Sequence, residues 1–151
     1  MLTQEIKKYI EKSVLCWLAT SDEENMPNVS PKEVFTFYDE EFIIIANIAS
    51  PKSVHNIMKN SKVCVSFIDV FVQKGFQLKG NARIVRKSDS EFEVLVQPLL
   101  KMTKGKYPFA NIIKIRVEKA KKIIAPSYML YPETTEKEQV ESAKKLYNAQ
   151  E

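Results

Sequence analysis

Six β-prone segments run along this chain without the regular alternation of strand and helix that a parallel sheet requires, and this order is its strongest constraint. They are VLCWLAT (14–20), the extended run NVSPKEVFTFYD (28–39), EFIIIAN (41–47), KVCVSFIDVFV (62–72), GFQLKGNARIV (75–85) and NIIKIRVEKAKKI (111–123). β-Branched and aromatic side chains recur in all of them. The third is apolar on both faces, as a central strand must be, and YDEE before it makes a tight polar turn. The fifth alternates Phe76 and Leu78 with Gln77 and Lys79 before Gly80, and it pairs with the fourth as a hairpin. The pattern predicts a mainly β fold, a six-stranded antiparallel barrel with helices at its periphery.

The helices are short. Residues 3 to 12 put Ile6, Tyr9 and Ile10 on one face, fit to cap a barrel end. Ser50 as N-cap and Pro51 at the first helical position open a helix over 50–60, with Val54, Ile57 and Met58 on one face. A third covers 88–102, with Ser88 and Asp89 as candidate caps, Phe92, Leu95, Val96 and Leu99 at helical spacing, and Pro98 kinking or ending it. An irregular aromatic stretch, Ser127 to Pro132, precedes a closing helix over about 134–149 with Val140, Ala143, Leu146 and Tyr147 inward. At 151 residues the chain is expected to form one domain (1–151) with a core over about 14–123.

Composition narrows the function. The net charge of +4 is spread among interspersed acids instead of forming one basic stripe, so no nucleic-acid partner is expected. No apolar run is long enough to span a bilayer, and MLTQEIKKYIEKSV lacks the features of an export signal, so the expectation is a cytoplasmic protein with no membrane partner. Cys16 and Cys64 sit in apolar strands with no His or Cys neighbour, which reads as buried thiols and no metal site. With Gly75, Gly80 and Gly105 the only glycines, no Gly-rich phosphate loop can form. The lone histidine, His55, lies mid-helix with no serine or cysteine elbow, against hydrolysis. The acids of Glu23/Glu24 and Glu40/Glu41 fall in turns. An anion could still be held at the start of the helix opened by Ser50, where free N–H groups, Lys52 and Ser53 converge; the alternative is a capped surface helix with a solvated lysine.

The string MPNVSPKEVFTFYDEEFIIIANIASPKSVHNIMKNSKVCVSF, followed by GFQLKGNARIV, resembles the pyridoxamine 5'-phosphate oxidase-like family of FMN-binding split β-barrels over residues 14 to 86. The resemblance implies FMN as cofactor. It places the phosphate and ribityl chain against Ala46, Asn47, Ile48, Ala49, Lys52 and Ser53, with Asn56 either helping the phosphate or tying down the turn. The strand Ser30, Pro31, Lys32 would run beside the flavin ring and offer it backbone groups. Gly75 and Gln77 would reach the flavin of a second copy, which makes the expected assembly a homodimer with sites at the subunit interface. Three departures stand out. Pro51 replaces an arginine beside the phosphate-binding lysine, VFTF lacks the basic residues of the second strand, and the C-terminal region lacks the arginine and histidine that grip pyridoxal phosphate. Vitamin B6 oxidation is therefore not expected, and Lys32 is a candidate substitute for the missing arginine. The implied function is an FMN-dependent oxidoreductase with no catalytic side chain assigned. The alternatives are a non-catalytic flavin-binding or sensory module, and a split barrel that takes haem or a deazaflavin.

Overall fold

The extended run 28–39 is not one strand but two. β2 (Pro27–Lys32) pairs antiparallel with β1 (Cys16–Ser21), whereas β3 (Phe35–Tyr38) pairs with β4 (Phe42–Ala46). The sheet has seven strands where six were expected, in the order β2-β1-β5-β6-β7-β4-β3, with β5 (Lys62–Asp69), β6 (Lys74–Arg86) and β7 (Asn111–Ile124) between. β2 and β3 thus form its two edges although only Glu33 and Val34 separate them. The three Cα–Cα steps from Lys32 to Phe35 reach about 11 Å at most, so the sheet must curl until its edges come together. That closure is the split barrel. The computed structural model describes residues 1–149; Gln150 and Glu151, the last two of the expected 1–151 unit, lie outside the described residues.

The apolar residues of β4 are buried on both faces for a physical reason. Ile43 and Ile45 point into the barrel with Leu18, Val65, Phe67, Leu78 and Ile113, while Ile44 and Ala46 pack beneath α3 (Phe92–Thr103) with Leu95, Leu99 and Ile112. Each fully buried Leu or Ile contributes about 1.5–3 kcal/mol. α1 (Gln4–Lys12), capped by the Thr3 hydroxyl, buries Ile6, Tyr9 and Ile10 as its spacing predicts and packs on β3, β5 and β6.

Several local expectations are corrected. The fourth strand ends at Asp69 instead of running to 72, because the Asp69 carboxylate accepts the N–H groups of Phe71 and Val72 and closes the turn into β6. Asp89 closes a turn with Arg86 and does not cap α3, which begins at Phe92 and runs through Pro98 to Thr103. Pro98 is tolerated there because Val94, whose carbonyl loses its partner, is on the exposed side. Residues 126–130 of the aromatic stretch form a short helix, α4 (Pro126–Leu130). α5 (Glu136–Leu146) is shorter than expected, and of its inward set only Ala143 is buried; Leu146 and Tyr147 are exposed.

Candidate functional site

α2 (Pro51–Lys59) lies against β1, β2 and β6, and polar side chains join it to the barrel. Its buried face is Ser53, Asn56 and Ile57; Met58, expected inward, is exposed. The reason is what β1 and β2 offer. Ser30 and Lys32 pair with Leu18 and Cys16 and share their inward face, while Thr20 lies two residues further along β1. The Ser30 and Ser53 hydroxyls are 3.2 Å apart, the Asn56 amide donates to the Thr20 hydroxyl at 3.0 Å, and the Lys32 ammonium donates to the Ser50 hydroxyl. Ser50, Ser53 and Asn56 therefore form one polar row on α2, facing one on β1 and β2. Ala49, at φ 51°, turns the chain from β4 into α2, a left-handed conformation that costs a non-glycine residue of order 1 kcal/mol or more.

Lys32 is the electrostatic anomaly of this cluster. It is only 5% exposed, and among the described residues its one hydrogen-bond partner is a neutral hydroxyl and no carboxylate pairs with it. Burial pushes its pKa below the usual 10.5, and burial likewise drives the adjacent Cys16 thiol up to about 12, so Cys16 supplies no countercharge. The first turn of α2 carries no acid, and Pro51 leaves Lys52 and Ser53 as its leading N–H donors. A buried cation and a helix N-terminus thus point at the same place, a field that stabilises an anion. Beside it opens a cavity of about 240 Å³ lined by Pro31 through Val34, Ala46, Ile48 and Tyr107.

The structure brings together most, but not all, of the residues singled out from sequence. Ser30, Lys32, Ser53 and Asn56 meet in the polar cluster, and Pro31, Ala46 and Ile48 line the cavity beside it. Asn47 and Asn56 each hold a buried side-chain oxygen with no hydrogen-bond partner. Ala49 and Lys52 are exposed. Gly75 and Gln77 are elsewhere. Pro31, Trp17, Ser66 and Gln77 stand opposite one another in successive strands, three strand spacings or about 14 Å from first to last. Gly75 has a structural reason of its own, since a Cβ there would come within 2.0 Å of the Phe67 carbonyl oxygen. Sequence reasoning missed Thr20, Ser50 as the partner of Lys32, and Tyr107. Only register and loop placement bring these to the site, and no local motif announces either.

The row containing Trp17 belongs to an outer sheet face that nothing covers among the described residues. Val29 (58% exposed), Trp17 (47%) and Pro31 lie there, and next to them Val14 and Val70 border an apolar cavity of about 340 Å³ that Leu15, Ile68 and Phe71 also line. Tyr147 of the C-terminal region meets Phe71 edge to face at 6.5 Å. The described residues hold no cluster suited to a metal ion, and His55 is exposed on α2.

Comparison with known proteins agrees with this architecture. The family profile of pyridoxamine 5'-phosphate oxidase matches residues 2–129. No curated protein matches the chain by sequence. Among solved structures, HupZ of Group A Streptococcus is 26% identical, with 80% of this chain and 92% of that one covered and a TM-score of 0.68. An FMN-binding protein of Syntrophomonas wolfei is 17% identical (80% and 85% covered, TM-score 0.67). HutZ, the heme storage protein of Vibrio cholerae, is 20% identical (81% and 94% covered, TM-score 0.62).

Proposed function

The chain belongs to the pyridoxamine 5'-phosphate oxidase family, and from that premise we propose that it is a cytoplasmic, homodimeric flavoprotein that binds FMN and acts as an oxidoreductase. The observation that carries the reading is Lys32, a buried ammonium without an anion at the start of a helix that favours one. A phosphate there would accept from Lys32, from the Ser50 and Ser53 hydroxyls and from the first N–H groups of α2. The unpartnered oxygens of Asn47 and Asn56 suit the hydroxyl donors of a ribityl chain. Pro31, Val34, Ala46 and Ile48 offer the apolar wall that a planar ring system needs, with Tyr107 at its edge. FMN, when bound, supplies hydride- and electron-transfer chemistry. The protein's part is to fix the phosphate, orient the ring against β2 and exclude water.

The dimer rests on two observations. The outer face around Val29, Trp17 and Val70 exposes apolar surface of the kind that subunit contacts cover. Gln77 lies three strands from β2 and on the outer face with Pro31 and Trp17, whereas Lys32 faces the barrel interior, so a contribution from Gly75 and Gln77 to a flavin held at Lys32 is read as coming from a second copy. The two cysteines are free, as suits a reducing compartment, and no helix among the described residues is long and apolar enough to cross a membrane.

Haem is the rival ligand, because one structural neighbour stores it. Its propionates could also use the α2 anion site, so the argument against it is the lack of an axial ligand of the usual kind: the one histidine of the chain is exposed on α2. Absorption titrations with FMN, riboflavin and haem decide between them. FMN binding with riboflavin at least about tenfold weaker supports the phosphate site, that ratio corresponding to about 1.4 kcal/mol. A haem spectrum with no FMN binding overturns the flavin reading.

A further inference from the structure

On the outer sheet face, the rows that begin with apolar residues on β2 and β1 end in lysines. Val29, Ala19, Cys64, Lys79 and Lys119 stand opposite one another across β2, β1, β5, β6 and β7, and in the parallel row Gln77 faces Lys121. Lys79, Lys119 and Lys121 are all exposed, and Lys79 lies directly across from Lys119. Like charges placed directly opposite on one sheet face repel. Several lysines elsewhere do pair with acids: Lys7 with Glu40, Lys62 with Glu118, Lys74 with Glu136, Lys114 with Glu91, Lys122 with Glu5. The three outer-face lysines have no carboxylate partner among the described residues. Glu118, in the bulge next to them, is engaged by Asn81 and Lys62. A concavity of about 230 Å³ lies between the lysines and Gln77.

We propose that Lys79, Lys119 and Lys121 form a second anion subsite that accepts the diphosphate group of a nucleotide co-substrate. The spacing suits one. Residues across adjacent strands are about 4.5–5.5 Å apart, and residues i and i+2 on one strand about 7 Å. Three ammonium groups on flexible stems can therefore close on two neighbouring phosphates, whereas a single carboxylate would leave at least one lysine unmatched. The subsite is separate from Lys32, which lies three to four strands away in the sheet order and faces the barrel interior. It rests on the flavin reading in one respect: a flavoprotein needs a second redox reactant, and the dinucleotide class carries a diphosphate. The apolar half of the same face remains available to a second copy.

The test uses inorganic pyrophosphate on the full chain, followed by calorimetry and by amide chemical-shift mapping, alongside FMN titrations. The comparison is with the triple variant Lys79→Gln, Lys119→Gln, Lys121→Gln, whose substitutions are at exposed positions and relieve a repulsion, so folding is retained and thermal unfolding checks it. Pyrophosphate is expected to perturb amides of β6 and β7, to lose affinity by about tenfold or more in the triple variant, and to raise the unfolding temperature of the parent but not of the variant. FMN affinity should be the same in both proteins. Unchanged pyrophosphate affinity in the variant overturns the proposal, as does full competition between pyrophosphate and FMN, or binding of a single-stranded oligonucleotide where pyrophosphate does not bind. If FMN fails to bind while pyrophosphate still depends on the three lysines, the flavin reading falls and the subsite stands.

Discussion

Lys32→Met separates the proposed phosphate site from the fold that carries it. Methionine keeps the length and the apolar stem of lysine and removes the charge. In the free protein the change deletes a hydrogen bond to Ser50, whose hydroxyl still has the Ile48 carbonyl at 3.4 Å, and relieves the desolvation of a cation that is 5% exposed. The two effects oppose, so the ligand-free variant should be at least as stable as the parent. In the complex the same change removes a buried charge-assisted contact, worth about 2–4 kcal/mol, or a loss of about 30- to 900-fold in affinity. Riboflavin, which has no phosphate, should bind parent and variant alike. Lys52→Met, at an exposed position, should weaken FMN by no more than about fivefold, since an exposed ion pair contributes up to about 1 kcal/mol. Fluorescence-quenching titrations of both flavins against all three proteins give the numbers. An equal loss of FMN and riboflavin in Lys32→Met would mean that the substitution damages the pocket as a whole, and an unchanged FMN affinity would remove Lys32 from the site; either refutes the argument.

Three further outcomes follow from the same structure. The FMN-to-riboflavin affinity ratio should be pH-dependent. Lys32 titrates below 10.5 when free and is held charged by a bound phosphate, so the ratio is full below that depressed value and falls by up to about tenfold per pH unit above it, as titrations through the alkaline range would show. In the ligand-free protein the sign is opposite, since unfolding takes up a proton at Lys32 and stability rises with pH across that window. Gly75→Ala should destabilise by about 3 kcal/mol, because its Cβ meets the Phe67 carbonyl oxygen at 2.0 Å, while Gly105→Ala, at φ 71° with nothing within 4 Å, should cost only about 1 kcal/mol; urea unfolding compares them. Trp17 is the only tryptophan and is 47% exposed, so its emission should shift to the blue as dilute protein is concentrated, and Trp17→Glu should sediment as a monomer; a dimer that survives Trp17→Glu is built on another face.

The fold was legible where a local pattern and the tertiary outcome agree. Alternation, paired turns and the two-faced apolar segment EFIIIAN suffice for an antiparallel barrel, and the inward set of α1 follows from spacing alone. The division of 28–39 was not legible, because nothing in NVSPKEVFTFYD breaks the extended pattern. The break at Glu33 and Val34 is imposed by closure, as Lys32 pairs with Cys16 while Phe35 pairs with Ile45 on the opposite edge. Tertiary contacts also altered the expected inward sets of two helices, keeping Ile57 and Ala143 inside but leaving Met58, Leu146 and Tyr147 outside. α2 turns Ser53 and Asn56 inward because Thr20 and Ser30 offer partners there, and leaves Met58 outside. α5 was read from its own apolar residues, yet the described chain gives Leu146 nothing to pack into.

The candidate site shows the same division more sharply. Lys52 draws attention in the sequence because it follows Ser50 and Pro51 at a marked helix start, and the helix does begin there. What a sequence cannot display is which lysine the barrel buries. Lys32 stands eighteen residues before Ser50, and only the pairing of β2 with β1, followed by the return of the chain through β4 into α2, sets its ammonium against the Ser50 hydroxyl. Once there, it has lost most of its water and gained no acid. A fold that sustains an unpaired buried cation gives up stability in the ligand-free state, and an anion restores it. On the proposed reading the exposed lysine can at most adjust such a site from its rim, whereas the buried one would make the barrel more stable with a phosphate than without.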